Sequence, residues 1–194
     1  YSRCTTLKSI QIPDTVTFID DYAFYDCYKL TNVAIGPNSQ LMSIGEKVFY
    51  STAITSISIP DRITTIERET FVRCKGLTSF TFGPNMKTIA QGAFYGSGLT
   101  GIVIPSSVTS IGDLAFSNSR DLTSVIFAPN SQLSSIGSLT DTGSGGVFSD
   151  IGITSIAIPD SVTTIGKFAF SENSKLKSVT FGANSQLTTI GFYS

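Results

Sequence analysis

Apolar residues return along this chain in short alternating runs that are spaced almost evenly. A run reads apolar-x-x-apolar-x-apolar, as in LTGIVIP from Leu99 to Pro105. Alternation with β-branched residues predicts a β-strand that buries one of its faces. Successive runs begin 23, 24, 23, 22, 23, 31 and 23 positions apart, so the chain consists of eight units of about 23 residues. The eight runs begin at Leu7, Leu30, Ile54, Leu77, Leu99, Leu122, Ile153 and Leu176.

Two versions of the unit alternate. In one version the strand ends at a proline, which has no N–H for a sheet ladder. These prolines are Pro13, Pro60, Pro105 and Pro159. In the other version the strand ends at Gly36, Gly83, Ala128 or Gly182. Both versions continue with a second, shorter apolar pair and then a tight turn that contains a phenylalanine. The turn phenylalanines are Phe24, Phe49, Phe71, Phe94, Phe116, Phe148 and Phe170.

A single unit of this size cannot bury its own apolar side, whereas stacked units cover one another. The repeat therefore predicts a single β-rich solenoid over residues 1–194. Its strands should lie parallel in successive layers, about 4.8 Å apart.

The consensus Leu-x-x-Ile-x-Ile-Pro-x-x-Val-x-x-Ile-Gly-x-x-Ala-Phe-x-x-Cys resembles the BspA-like leucine-rich-repeat family, whose members are surface proteins of bacteria and some protists. The resemblance covers essentially the whole chain. It implies a right-handed leucine-rich-repeat solenoid with a parallel sheet on its concave face and short helical turns. It also implies adhesion or binding to an extracellular-matrix or host-cell-surface protein, at the cell surface or after secretion. It carries over no catalytic residue and no cofactor.

The two ends and one unit depart from the regular repeat. Neither end has the polar cap of a natural solenoid, so we expect a fragment that is truncated at both ends. The first residue, Tyr1, is assigned to the position that follows a turn phenylalanine, like Tyr25. The unit of 31 residues contains an insertion at 138–146, which is typical of a solvated loop because it is rich in Gly and Ser.

Composition narrows the possible activities. With 13 basic and 14 acidic residues, the chain has no positive surplus for a phosphate backbone, so we expect no nucleic-acid partner. No apolar stretch is long enough for a membrane span, and we expect no direct membrane insertion. The absence of His removes the commonest general base and excludes ordinary Cys and His zinc sites. We therefore predict that the chain is not an enzyme and holds no metal.

One short motif matches a catalytic signature. The sequence DTGS, at Asp141 to Ser144, is the signature of aspartic proteases. Such an enzyme needs two aspartates that share one proton, and the motif occurs once, inside the insertion. We interpret it as part of a loop.

Cys27 and Cys74 lie three residues after turn phenylalanines, and Cys4 is assigned to the same place after one expected before Tyr1. Other units have Ser97, Ser119 and Asn173 there. This pattern predicts a ladder of small polar side chains that satisfy backbone groups of the turns. We expect free thiols at all three, and the alternative is a disulfide between Cys4 and Cys27 on adjacent layers.

Two further surface features have a structural and a functional interpretation. The mixed charges between Asp61 and Gly76 indicate a solvated convex face with local ion pairs, and not a charged patch that steers a partner. The tyrosines Tyr25, Tyr50 and Tyr95 either cover an edge of the core or form an aromatic stripe for ligands.

Side chains that alternate with the buried ones should form the exposed columns of the long strands. We predict that a protein partner binds on the concave face, at residues adjacent on successive layers: Ser58, Thr81, Val103, Ile126 and Ala157. The competing interpretation is that Val103 and Ile126 are present only for their strand propensity. The predicted function is a non-enzymatic binding or adhesion module of a cell-surface protein, and the alternative is a passive structural spacer.

Overall fold

Each unit contributes one long and one short strand to a parallel β-solenoid of about eight turns. The computed structural model describes residues 1–140 and 145–194. The long strands contain the alternating runs: β1 (Ser9–Ile12), β3 (Asn32–Ile35), β5 (Ser56–Ser58), β7 (Ser79–Thr81), β9 (Gly101–Ile104), β11 (Ser124–Phe127), β13 (Ser155–Ile158) and β15 (Ser178–Phe181). The short strands contain the second apolar pair: β2 (Phe18–Ile19), β4 (Ser43–Ile44), β6 (Thr65–Ile66), β8 (Thr88–Ile89), β10 (Ser110–Ile111), β12 (Ser135–Ile136), β14 (Thr164–Ile165) and β16 (Thr189–Ile190).

Hydrogen bonding between layers confirms the predicted parallel stack. The long strands pair two by two, β1 with β3, β5 with β7, β9 with β11 and β13 with β15, so each pair joins a proline unit to the unit after it. The short strands pair as β2 with β4 and as one six-stranded sheet from β6 to β16. Equivalent residues face each other, as Ile102 faces Val125 and Ile111 faces Ile136.

The turn phenylalanines form a continuous column inside the solenoid. Neighbouring rings stack with centroids 5.2 to 5.8 Å apart and planes within 16° of parallel. The five rings from Phe49 to Phe148 are fully buried. The column holds the layers in register, because each ring contacts the equivalent ring of the next layer.

The column extends to the first residue, which corrects the predicted place of Tyr1. Its ring stacks on Phe24 with centroids 5.6 Å apart and planes 8° from parallel. The N–H of Arg3 donates to the Tyr25 carbonyl, just as the N–H of Asp26 donates to the Tyr50 carbonyl one layer on. Tyr1 therefore occupies the place of a turn phenylalanine and not the position after it.

The expected short helical turns are wrong, since the described residues contain no helix. Around Phe24, the residues two before and two after it, Tyr22 and Asp26, have φ angles of 57° and 55°. Left-handed residues at this spacing interrupt any right-handed helix. The segment is instead a run of β-turns, in which N–H groups donate to the carbonyl three residues earlier: those of Ala23, Tyr25 and Cys27.

The intervening N–H groups of these turns, on Tyr22, Phe24 and Asp26, donate to carbonyls of the next layer. We call the stacked turn segments the turn ribbon, which in each layer runs from two residues before the turn phenylalanine to two residues after it. Bonds between layers thus take the place that bonds within a helix would have. The DTGS motif, at 141–144, lies outside the described residues.

Candidate binding surface

The exposed sides of the long strands form one face of the solenoid, which we call the long-strand face. Burial alternates along each central strand: in β13, Ser155 and Ala157 are exposed whereas Ile156 and Ile158 are buried. The structure places all five predicted site residues on this face with exposed side chains: Ser58, Thr81, Val103, Ile126 and Ala157.

Hydrogen-bonded strand pairs bring four of these residues together in twos. Ser58 is in register with Thr81 on β5 and β7, and Val103 is in register with Ile126 on β9 and β11. Ala157 lies on β13, which contacts β11 without forming a ladder with it in the described structure. The two large apolar side chains among the five therefore form a side-by-side pair, with Val103 56% and Ile126 54% exposed.

A shallow hollow of about 640 Å³ adjoins this pair. Its lining includes Thr81 and Ser124 as well as the apolar pair itself. Gly101 also lines it, in a column of positions where the other long strands have Ser or Asn. A Cβ atom at Gly101 would lie 3.6 Å from the Ser124 Cβ, which is ordinary contact, so packing does not require glycine here. The single Gly among Ser and Asn residues was a sequence signal for this hollow, but the hollow itself was not predicted.

The two exposed columns of the long-strand face contain no ionisable side chain. Small hydroxyl groups dominate around the apolar pair, so the face is uncharged and its polar groups remain in water. A partner on this face would therefore be bound by apolar contact and neutral hydrogen bonds, with little dependence on ionic strength.

The residues three positions after the turn phenylalanines form the predicted polar ladder. Cys74 Sγ donates to the Phe49 carbonyl at 2.9 Å, and Ser119 Oγ donates to the Phe94 carbonyl at 3.0 Å. Asn173 Nδ2 does the same for Phe148 at 2.7 Å. Each donor reaches the preceding layer, so the ladder links layers through their turns.

The cysteines of this ladder are free in the structure. Burial raises the pKa of the Cys74 thiol to about 12, and burial also raises the pKa of the Cys27 thiol. A nucleophilic cysteine needs the opposite shift. In the described ranges, 1–140 and 145–194, no group of three or more His, Cys, Asp or Glu could hold a metal ion. The same ranges contain no helix that is long and apolar enough to cross a membrane.

The charged segment forms the predicted local ion pairs, both of which involve Glu69 of the turn ribbon. Lys47 Nζ lies 3.4 Å from Glu69 Oε2, and Arg68 Nε lies 3.2 Å from Glu69 Oε1. The predicted tyrosine stripe is not continuous: Tyr25 and Tyr50 stack with ring centroids 4.9 Å apart, whereas Tyr95 belongs to a layer whose neighbours have Val72 and Ser117 at that position.

Solved structures with the same architecture come from bacteria. A leucine-rich repeat protein from Bacteroides ovatus is 25% identical, with a TM-score of 0.72 over 99% of this chain and 62% of that chain. A leucine rich cell surface protein from Faecalibacterium prausnitzii is 26% identical, with a TM-score of 0.55 over 91% of this chain and 61% of that chain. The chain thus spans less than two thirds of either protein.

The pneumococcal vaccine antigen PcpA shares the fold, at 22% identity and a TM-score of 0.70 over 96% of this chain and 47% of that chain. No curated protein sequence matches the chain. The family described as BspA type leucine rich repeat region (6 copies) matches residues 1–123, 42–144 and 142–194, which together cover the whole sequence. With its repeat, its solenoid and this match in agreement, the chain belongs to the BspA-type leucine-rich-repeat family.

Proposed function

We propose that the chain is a non-enzymatic protein-binding module of a cell-surface or secreted protein, and that its partner docks on the long-strand face. The partner class is a protein of the extracellular matrix or of a host-cell surface. The observation that carries the proposal is the exposed Val103 and Ile126 pair beside the hollow at Gly101. The surface locality draws support from the family and from the bacterial cell surface protein that shares the fold.

The size of the patch sets an expectation for affinity. Full burial of a Val or Ile side chain contributes about 1.5–3 kcal/mol, and these two side chains are already about half buried. The pair therefore supplies roughly 2–3 kcal/mol on contact, which corresponds to modest affinity for one site. Repetition of the surface in a longer chain would raise the overall affinity through avidity.

The test is a Val103→Asp, Ile126→Asp double variant, which places two carboxylates in the apolar centre. A matched control is Gln11→Asp, Ala34→Asp, because these residues are also exposed and in register, on β1 and β3 of the same face. Both variants should keep the melting temperature and circular dichroism of the parent. Binding to purified matrix proteins and to intact host cells is then measured by biolayer interferometry and flow cytometry.

The proposal expects the central variant to lose binding and the β1–β3 control to retain it. Equal binding by the folded central variant and the parent would refute the long-strand face as the docking surface. If the parent binds no matrix protein and no cell, the passive-spacer alternative is favoured, because a spacer needs only a stable rod between other domains.

A further inference from the structure

One layer of the turn ribbon lacks a side chain at both of its left-handed positions. Its sequence, GAFYGSG from Gly92 to Gly98, has glycine at both left-handed positions, with φ of 64° at Gly92 and at Gly96. The equivalent positions are occupied by Glu69 and Arg73 in the layer before, and by Leu114 and Asn118 in the layer after. Tyr95 is the one large side chain that this layer presents between the two glycines.

The missing side chains leave two adjoining hollows, of about 540 and about 270 Å³. Both are lined by Arg73 and Tyr95, and we call the two hollows together the tyrosine trough. The larger hollow extends over Gly96 and Gly98. A Cβ atom at Gly98 would lie 2.9 Å from the Lys75 carbonyl carbon, so the floor approaches the main chain of the preceding layer too closely for any side chain.

Cations line the larger hollow on both sides. Arg73 and Lys75 come from the preceding layer, both are exposed, and neither forms an ion pair within the described residues. Arg120 comes from the following layer and pairs with Asp150 at 2.9 Å. Asp121 is the one acidic residue in this lining. An otherwise sparsely charged solenoid thus has two uncompensated positive side chains beside an exposed depression.

The floor itself has no main-chain donor to offer. The N–H groups of Gly92, Gly96 and Gly98 are used in bonds between layers, to the carbonyls of Asp113, Ser117 and Cys74. Recognition at the glycine floor would therefore depend on side chains. This argues against an extended peptide, which is normally held by main-chain hydrogen bonds.

We propose that the tyrosine trough binds an acidic sugar unit of a glycan. Arg73 and Lys75 provide charge-assisted hydrogen bonds to a sugar carboxylate. Polar groups for vicinal sugar hydroxyls are supplied by Asn118 and Asp121. The Nδ2 of Asn118 also donates to the Tyr95 hydroxyl at 3.3 Å. The half-buried Tyr95 ring offers an apolar surface to the C–H groups of a pyranose. The larger hollow lies within the roughly 300–1,000 Å³ that is usual for small-ligand sites.

The need for both an anion and hydroxyl donors follows from Asp121. A ligand with carboxylates alone would be repelled by this side chain, whereas sugar hydroxyls donate to it. The site is separate from the long-strand face, so it stands or fails independently of the proposed protein docking.

The experiment titrates the chain with 3′-sialyllactose and with trigalacturonate, and compares lactose and a tetraglutamate peptide. Binding is followed by NMR chemical shifts of the amides from Gly92 to Gly98 and by calorimetry. We expect both carboxylated sugars to bind and to shift these amides, with affinity that falls as salt rises. Lactose should bind at least about tenfold more weakly, because it lacks the charge-assisted bonds.

Two variants locate the site. Arg73→Gln with Lys75→Gln removes the unpaired cations, and Lys175→Gln with Lys177→Gln is a control with the same change of charge at exposed residues outside the trough. Gly96→Asn fills the larger hollow, and the backbone tolerates it because Asn118 adopts a φ of 60° at the equivalent position. Both trough variants should weaken binding about tenfold or more, and the control should leave it unchanged.

Failure of both acidic sugars to bind at millimolar concentration would overturn the proposal, as would binding that survives both trough variants when they are folded. Binding of the tetraglutamate peptide in preference to the sugars would replace the saccharide with an acidic peptide and equally refute the assignment. Val103→Asp, Ile126→Asp should retain sugar binding, which keeps this result distinct from the protein-docking test.

Discussion

Replacing Phe94 with Ala tests whether the stacked phenylalanine column stabilises the solenoid. The Phe94 ring is fully buried and stacks between Phe71 and Phe116, with centroids 5.3 and 5.2 Å away. Phe80 and Phe82 meet it edge-on, at 4.7 and 6.0 Å. The ring therefore has aromatic partners on both faces and at its edge.

These contacts set the expected magnitude. Truncation of a buried Phe to Ala costs about 3–5 kcal/mol of unfolding free energy. Aromatic pairs contribute roughly 0.5–1.5 kcal/mol each beyond the buried area, and Phe94 belongs to several such pairs. Because both neighbouring layers are held by similar rings, the cavity cannot close by a local shift. We expect a loss near the upper end of this range, about 5 kcal/mol.

Urea unfolding followed by far-ultraviolet circular dichroism measures this loss. The control is Phe18→Ala. The Phe18 ring is 53% exposed at the start of β2, so its loss should lower the free energy of unfolding by at most about 1 kcal/mol. In a solenoid each layer contacts only its neighbours, so the transition of the Phe94 variant should also broaden as the two halves uncouple. If Phe94→Ala cost no more than Phe18→Ala, the column would not be the stabilising element inferred here.

Further predictions concern the thiols and the glycines. Unfolded, unreduced protein should titrate three thiols, whereas a Cys4–Cys27 disulfide would leave one, and Cys74 should resist alkylation in the native state because burial raises its pKa to about 12. The pKa of the Cys74 thiol is near 9.0 in the unfolded chain and near 12 in the folded one, so its contribution to stability is complete below pH 9 and is lost as pH rises toward 12. The urea midpoints at pH 8 and at pH 10.5 should therefore differ less in Cys74→Ser than in the parent. Gly98→Ala should lower the free energy of unfolding by about 1–3 kcal/mol because the new Cβ meets the main chain of Lys75, whereas Gly101→Ala should change it by less than about 0.5 kcal/mol. Equal melting temperatures for the two variants would contradict the packing described for Gly98.

The layered architecture and the exposed residues of the long strands were predictable from sequence for one reason. Strand alternation has a period of two, so the buried residues of a strand also identify its exposed ones. Val103 and Ile126 have the same position in successive units, and stacking in one frame brings equivalent positions side by side. The phenylalanine column follows in the same way, because identical units can bury a ring only against its equivalents.

The sequence by itself determined the period, the parallel stacking, the buried columns and the exposed pair on β9 and β11, since each depends on regular alternation within a unit. Only the tertiary structure decided the features that arise between units. The turn ribbon is not helical because its N–H groups bond to the next layer, and Tyr1 belongs to the aromatic column because its ring stacks on Phe24. The tyrosine trough also arises between units, because its glycine floor belongs to one unit whereas Arg73 and Arg120 come from the units on either side. A local sequence pattern does not show which residues of the neighbouring units lie close in space.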